Sequence, residues 1–240
     1  MTRPSRGPGL AFYATPRYAC SYLAGRDAVT LFADPSIPKT PDLYATLSAY
    51  GFRRSGEHLY RPRCPQCSAC IPVRVPVADF VPTRGQRRTW TRNLDLRVQV
   101  RPPVFDPAHF DLYRRYLHGR HAGGGMDNPT SDSFLEFLTA TWSRTEFVEF
   151  RLDAKIVAVA VVDRLPNALS AVYTFFDPSL HARSLGRQAV LYQIDAARRE
   201  GLPWLYLGYF IRDCRKMRYK DEYQPLEYYV DGHWTRHLPR

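Results

Sequence analysis

The sequence predicts an α+β fold, and three observations in its second half carry that expectation. Three apolar runs of strand length, Thr145–Leu152, Ile156–Asp163 and Ala168–Phe176, are joined only by the short turns Asp153–Lys155 and Arg164–Asn167. Such runs form an antiparallel meander. Two helical patterns precede them: Pro107–Arg120, with Phe110, Tyr113, Tyr116 and Leu117 on one face, and Ser131–Ala140. An amphipathic helix, Ser184–Glu200, follows and leads through Gly201 and Pro203 into an aromatic strand reaching Gly208.

The first half reads in the same way. Cys20–Asp34 gives two short strands around a turn at Ala24–Asp27, closed by Pro35. Thr40 caps a helix running to Tyr50, with Pro41 at its first position, where the missing N–H costs nothing. Phe52–Arg54 and Leu59–Arg61 bracket a hairpin turn. A cysteine loop follows, and Val73–Val77, interrupted by Pro76, is expected on a sheet edge. Arg84–Asn93 reads as a basic helix and Leu96–Arg101 as a strand stopped by Pro102-Pro103. The loop His121–Asn128 is glycine-rich, and Leu226–Val230 is a last strand before the turn Asp231-Gly232. The expected division is a Cys-containing N-terminal α+β domain, residues 1–95, and a second domain, residues 96–240. Helix pair, antiparallel strands, helix, strand, strand is the order of a GNAT-like acyltransferase domain.

Composition bounds the partners. The chain has 34 Lys+Arg against 23 Asp+Glu, a formal charge of +11, and 14% aromatic residues. Nearly all the cations are Arg, the side chain suited to bidentate phosphate contact and to stacking on bases. Nucleic acid is the partner this points to. No apolar run approaches the roughly 20 residues of a membrane helix, and the N-terminal apolar stretch is too short for a signal peptide. Five cysteines, an odd and clustered set, argue against a secreted disulfide framework, so a cytoplasmic protein is expected.

Four segments carry chemistry. Cys64, Cys67 and Cys70 form C-x2-C-x2-C, and Cys20 offers a fourth thiolate. Four soft ligands suit tetrahedral zinc or an iron–sulfur cluster, the alternative being reduced thiols in a tight loop. Arg84, Arg87, Arg88 and Arg92 crowd one short helix, which phosphate contact would explain. Arg183-Ser184-Leu185-Gly186-Arg187 is similar to the turn with which acetyltransferases hold a pyrophosphate on a helix N-terminus. Gln188 stands where that turn has a small residue, which argues against coenzyme A; the alternative is an ordinary helix capped by Ser184. Finally, Trp204–Leu226 passes from an aromatic strand into five cations, Arg212, Arg215, Lys216, Arg218 and Lys220, with Cys214, Met217 and Tyr219 among them.

YLGYFIRDCRKMRYKDEYQPLE resembles a segment of the aminoacyl-tRNA–protein transferases, and the likeness extends to the cysteine motif with IPVRV, to RGQRRTWTRN, LYRRYLHGRH, VAVVDRLPNALSAVYTFFDP and RSLG. It covers nearly the whole chain and is nearest to the bacterial aspartate/glutamate leucyltransferase group; eukaryotic arginyltransferases are similar but larger. Arg215 stands where the eukaryotic pattern has Pro. The resemblance implies transfer of leucine from leucyl-tRNA to proteins beginning with Asp or Glu, marking them for N-degron proteolysis, with no required cofactor and neither DNA nor membrane as partner. It implies roles as follows: Asp163 orienting the amine or taking its proton, Tyr173 and Tyr206 holding the donor, and His121, Arg120, Lys216, Arg218 and Lys220 reading the acceptor carboxylate. Arg84, Arg87, Arg88, Arg92, Ser184, Gly186 and Arg187 would meet the tRNA. Alternatives are an arginyltransferase with the same acceptors, a non-catalytic metal-containing RNA-binding module, and an acetyltransferase.

Overall fold

The computed structural model describes residues 10–121 and 129–238, the side chains of Arg120 and His121 excepted. The glycine-rich loop and the roles expected of Arg120 and His121 therefore lie outside the described residues. In the first half β1 (Phe12–Ala14), β2 (Tyr18–Ala19), β3 (Asp27–Ala28), β4 (Thr30–Ala33), α1 (Pro41–Ala49), β5 (Arg53–Ser55) and β6 (His58–Pro62) follow one another. β1, β4, β6 and β5 form a small antiparallel sheet in that order. α1 begins as expected, Thr40 accepting the Leu43 N–H ahead of Pro41.

Next come β7 (Ile71–Pro76), α2 (Arg84–Arg92), β8 (Arg97–Arg101), α3 (Pro107–His121), α4 (Ser131–Leu138), β9 (Arg144–Leu152), β10 (Lys155–Leu165) and β11 (Ala168–Phe176). The chain ends with α5 (Leu185–Arg199), β12 (Trp204–Phe210), β13 (Glu227–Val230) and β14 (His233–Thr235). One sheet of eight strands, ordered β14-β13-β7-β12-β11-β10-β9-β8, organises this half. β11 and β12 run parallel and are joined through α5; the other pairings in this sheet are antiparallel. The element order is the expected α+β one.

Helices cover both faces. α5 sets Leu185, Ala189, Ile194 and Ala197 against Val157, Ala160 and Val162 of β10. α3 and α4 bring Leu112, Tyr113, Leu117, Phe134 and Leu138 to the opposite face, against Val159, Val161 and Phe175. A strand covered on both sides has no polar face, which is why β10 reads as a continuous apolar run.

Two expectations change. β7 lies between β12 and β13 and is not an edge strand. Pro76 is tolerated because it sits at the strand end, opposite Trp204. The large sheet thus draws a central strand from before residue 95. Ser184 lies in the left-handed region (φ 52°) and makes no side-chain cap to α5. The amide groups at that helix start are left to other partners.

Candidate active site

β11 and β12 pair only at Ala168–Trp204, Leu169–Leu205 and Ser170–Tyr206, and then separate. Val172 is bulged out of register with β10, and Leu207 out of register with β7. Facing irregularities of this kind open a slot between adjacent strands and leave backbone groups without ladder partners. Arg53, from β5, fills part of that slot. Its Nη2 donates to the carbonyls of Ala171 and Val172, both at 3.0 Å. Opposite stands Gly208, at φ +80°, where a Cβ would overlap the Arg53 guanidinium. Glycine is required there twice over, for the backbone angle and for clearance. Phe52, Ser170 and Tyr206 line the same slot.

The chain leaving β12 turns with a period of three. Cys214 donates its N–H to Ile211, Met217 donates to Cys214, and a 3₁₀ turn covers Arg218–Glu222. Residues three apart eclipse in such turns. Cys214, Met217 and Lys220 therefore point inward, while Arg212, Arg215, Lys216 and Arg218 are exposed. Lys220 is 3% exposed. Its ammonium has the Met217 thioether at 3.6 Å and the Tyr219 ring at 4.7 Å, and no ion pair among the described residues. Burial, and then the Arg53 charge, bring its pKa down to about 7, with Cys214 opposing. The structure thus separates Lys220 from Arg218, two residues that their closeness in sequence groups together.

Asp163 is fully buried. Arg54 holds it with two hydrogen bonds, Nε at 2.5 Å and Nη2 at 2.7 Å, and Thr145 donates a third at 2.7 Å. Arg54 also donates to the Leu138 carbonyl. In this arrangement Asp163 faces no solvent and ties hairpin β5–β6 to β9 and β10. Its carboxylate oxygens are thus held by Arg54 and Thr145. Tyr206 lies at the slot, with Arg74 donating to its hydroxyl at 3.4 Å. Tyr173 packs edge-on against Tyr113, Tyr116 and Phe137. Burial raises the pKa of both phenols, so they remain neutral hydrogen-bonding groups at physiological pH.

A basic surface borders this region. α2 starts with a capping box between Thr83 and Gln86, and Gln86 also donates to the Glu222 carbonyl. Arg187 pairs with Glu222 at 2.6 Å, Arg183 pairs with Asp95 at 2.8 Å, and Arg92 donates to the Ala182 carbonyl. These bonds join α2, the start of α5 and the Arg218–Glu222 turn into one face. Arg87 is tied to Pro82, whereas Arg84 and Arg88 are exposed with no hydrogen bond or ion pair among the described residues. Gly186 lets the Phe176 ring approach the helix start; a Cβ there would meet it at 3.0 Å.

The four motif cysteines are free and partly buried. Burial, then Cys20, Cys64, Cys67 and Cys214, push the Cys70 thiol up to about 12. The Val29 N–H donates to Cys64 Sγ at 3.4 Å. That donor set fits a soft metal. Among the described residues, however, the three side chains whose ligand atoms gather within 4.8 Å of one another are Asp106, His109 and Glu149. In that trio Glu149 already binds His109 at 2.7 Å and Arg151 at 2.6 Å, with Arg101 at 3.9 Å, so cations of the protein itself balance its charge.

Sequence reasoning missed Arg53 and Arg54. The available signal was an Arg-Arg pair in a short hairpin strand, where alternate side chains reach opposite faces.

Residues 18–88 match the N-terminal region, and residues 108–230 the C-terminal region, described for arginine-tRNA-protein transferases. The chain is 52% identical over 226 residues to the aspartate/glutamate leucyltransferase of Pseudomonas fluorescens (strain Pf0-1), covering 94% of this chain and 96% of that one. The enzyme of the same name from Pseudomonas aeruginosa (strain LESB58) is 53% identical with the same coverage. That from Hahella chejuensis (strain KCTC 2396) is 52% identical over 225 residues, again 94% of this chain and 96% of that one. Among solved structures, L-PGS from Bacillus licheniformis is similar at a TM-score of 0.48 and 13% identity, over 70% of this chain and 49% of that one. No helix among the described residues is long and apolar enough to cross a membrane.

Proposed function

The chain belongs to the arginine-tRNA-protein transferase family, and from that premise we propose that it is a leucyltransferase. It moves leucine from leucyl-tRNA to the N-terminal amine of proteins beginning with Asp or Glu, which marks them for N-degron proteolysis. Identity of 52% across 94% of the chain to an aspartate/glutamate leucyltransferase carries this reading.

The chemistry suits the groups present. The donor is an activated ester, and an N-terminal amine has a pKa of about 7.7–8.0, so a useful fraction is already neutral. The amine attacks the ester carbonyl, a C–N bond forms, and the tRNA ribose oxygen leaves with the proton that the amine gives up. Placing the amine against the ester supplies most of the acceleration such a reaction needs. The slot between β11 and β12 receives the aminoacyl end. Tyr206 lies there as a donor to developing oxygen charge, and Tyr173 packs the donor side. Asp163 acts at a distance, fixing the hairpin that carries Arg53. Lys220 reads the acceptor carboxylate together with Arg120, His121, Lys216 and Arg218. Arg84, Arg87, Arg88 and Arg92, with Ser184, Gly186 and Arg187, follow the tRNA backbone.

The test is transfer of labelled leucine or arginine from the matching charged tRNA to a peptide beginning with Asp. Leucine incorporation is expected; incorporation of arginine alone would replace the leucyl reading with an arginyl one. On the tRNA face, Arg84→Gln with Arg88→Gln is expected to weaken tRNA binding and to flatten its dependence on log salt by about 1 for each phosphate no longer neutralised. An unchanged slope would remove α2 from the interface. The cysteine set, Cys20, Cys64, Cys67 and Cys70, would hold zinc or an iron–sulfur cluster with a structural role, bracing β7 and the β3–β4 region. Metal analysis of protein purified without oxygen is expected to find one site per chain, abolished by Cys67→Ser and Cys70→Ser. Metal-free wild-type protein with the same melting temperature would exclude it.

A further inference from the structure

An apolar groove of about 390 Å³ lies between α1 and one face of the small sheet. In the ladder Leu31 stands opposite Arg61, and Ala33 opposite Phe12, so alternation brings Phe12, Leu31 and Arg61 to that face. α1 supplies Leu47 to the lining, and Tyr50 and Phe52 follow from the chain leaving it. The rings of Phe12 and Phe52 are 5.2 Å apart, centroid to centroid. Phe12 is 38% exposed and Tyr50 56%, so aromatic surface is left open to solvent at the groove. Arg61 is the one charged residue of the lining. Its Nη1 donates to the Tyr50 carbonyl at 2.7 Å, and its guanidinium carbon lies 5.6 Å from the centre of the Phe52 ring. Its Nε and Nη2 have no hydrogen bond, and the side chain no ion pair, among the described residues.

Size and charge together select the occupant. Small-molecule sites run from roughly 300 to 1,000 Å³, whereas a stable protein partner covers about 800 Å² on each side. Residues 1–9, MTRPSRGPG, offer two more arginines and one large apolar side chain, a poor match to a groove that already holds a cation. A leucine side chain would fill a minor part of the space and leave Arg61 without an anion. The same space admits larger amino acids, so it does not select leucine. A nucleoside with its phosphate meets each feature. The base stacks on open aromatic rings, and the phosphate takes the donors that Arg61 has left. Phe52 also lines the slot between β11 and β12. A base in the groove and an ester at the slot are therefore on two sides of one aromatic side chain, as base and ester are on the ribose that joins them.

We propose that this groove seats the terminal nucleoside of the aminoacyl-tRNA, the one that bears the amino acid, with Phe12 and Tyr50 stacking on its base and Arg61 holding the adjoining phosphate. This rests on the transferase reading, and it assigns the placement of the ester to the N-terminal sheet. The paired stem stays with α2 and the start of α5, and the unpaired end crosses to the groove.

The test uses the full chain and tRNA whose terminal adenosine is replaced by aminopurine riboside, a base that loses fluorescence when it stacks. Wild type is expected to quench it, Phe12→Tyr to quench it equally, and Phe12→Ala to leave it bright. In leucine transfer to a peptide beginning with Asp, Phe12→Ala is expected to lower kcat/KM for leucyl-tRNA by about 20-fold, chiefly through KM. On leucyl-tRNA lacking the terminal base, Phe12→Ala and wild type should be equal. Tyr50→Ala, at a more exposed ring, gives the same comparison where the Phe12 variant does not fold. Arg61→Gln is expected to weaken tRNA binding and to flatten its log-salt slope by roughly 0.7, the share of one single-strand phosphate. Absence of quenching by wild type, or an equal loss with and without the base, overturns the proposal. A loss that follows the amino acid carried, leucyl against alanyl, gives the groove to the donor side chain instead. A loss of acceptor-peptide binding in calorimetry without tRNA gives it to the acceptor. Quenching separates the proposal from its parent reading. If wild type quenches the base but transfers no leucine, the nucleoside site stands and the leucyltransferase reading falls. If leucine is transferred without quenching, the reverse holds.

Discussion

Replacing Lys220 with methionine is expected to make the protein more stable and at the same time to remove its preference for acidic acceptors. Lys220 is buried, and among the described residues its ammonium contacts the Met217 thioether and the Tyr219 ring without an ion pair. Its pKa near 7 corresponds to roughly 3–5 kcal/mol of opposition to the charged form. The sign follows from proton binding. Between about pH 7 and the ordinary lysine value near ~10.4, the unfolded chain holds a proton that the folded chain has lost, so wild-type stability rises with pH across that window. Below about pH 7 the folded chain carries the buried charge and the full penalty. Methionine fills similar space without charge. At pH 6.5 a rise in melting temperature of about 5 °C is expected, and the slope of stability between pH 7 and 10 should flatten. For peptides beginning with Asp, kcat/KM should fall by about 100-fold or more, since the partner charge is left unpaired. A variant that loses stability and keeps its selectivity would show that Lys220 is an ordinary core residue.

The second large effect is expected at Asp163. Converting it to Asn leaves Arg54 buried beside a neutral amide, and breaking a buried pair from one side costs about 3–5 kcal/mol. The melting temperature should fall by about 10 °C. Arg54→Met should cost as much, and the two together less than the sum, because each single change strands a charge. Well below the melting temperature, the folded Asp163→Asn protein is expected to keep kcat within about 10-fold of wild type. A loss of about 1,000-fold or more in a fully folded protein would instead return Asp163 to a direct catalytic role.

These two residues show what the sequence carries and what it hides. The helices and the β9–β11 meander were legible because their patterns are local: helical faces, strand-length apolar runs and short turns. The cation-rich segment after β12 was legible as a run of charge. Its division was not, although Cys214, Met217 and Lys220 are spaced by three and mark the inward face of a 3₁₀ turn. Gly208 reads as the end of an aromatic strand; its constraint is the Arg53 guanidinium from a hairpin in the other half of the chain. Asp163 stands late in an apolar strand, and nothing near it in sequence announces its buried partner Arg54. Pro76 looks like an edge marker until β13 is seen completing the sheet beyond β7. Each of these residues is defined by a long-range partner, which local periodicity does not encode.

The most direct test of a transferase that selects acidic N-termini through a buried cation is one series of rates. Leucine transfer from leucyl-tRNA is measured to four peptides identical except for a first residue of Asp, Glu, Asn or Gln. A receptor that uses Lys220 predicts that kcat/KM for Asp and Glu exceeds that for Asn and Gln by about 100-fold or more, since the amides leave its charge uncompensated. Equal rates for the acid and its amide would contradict it.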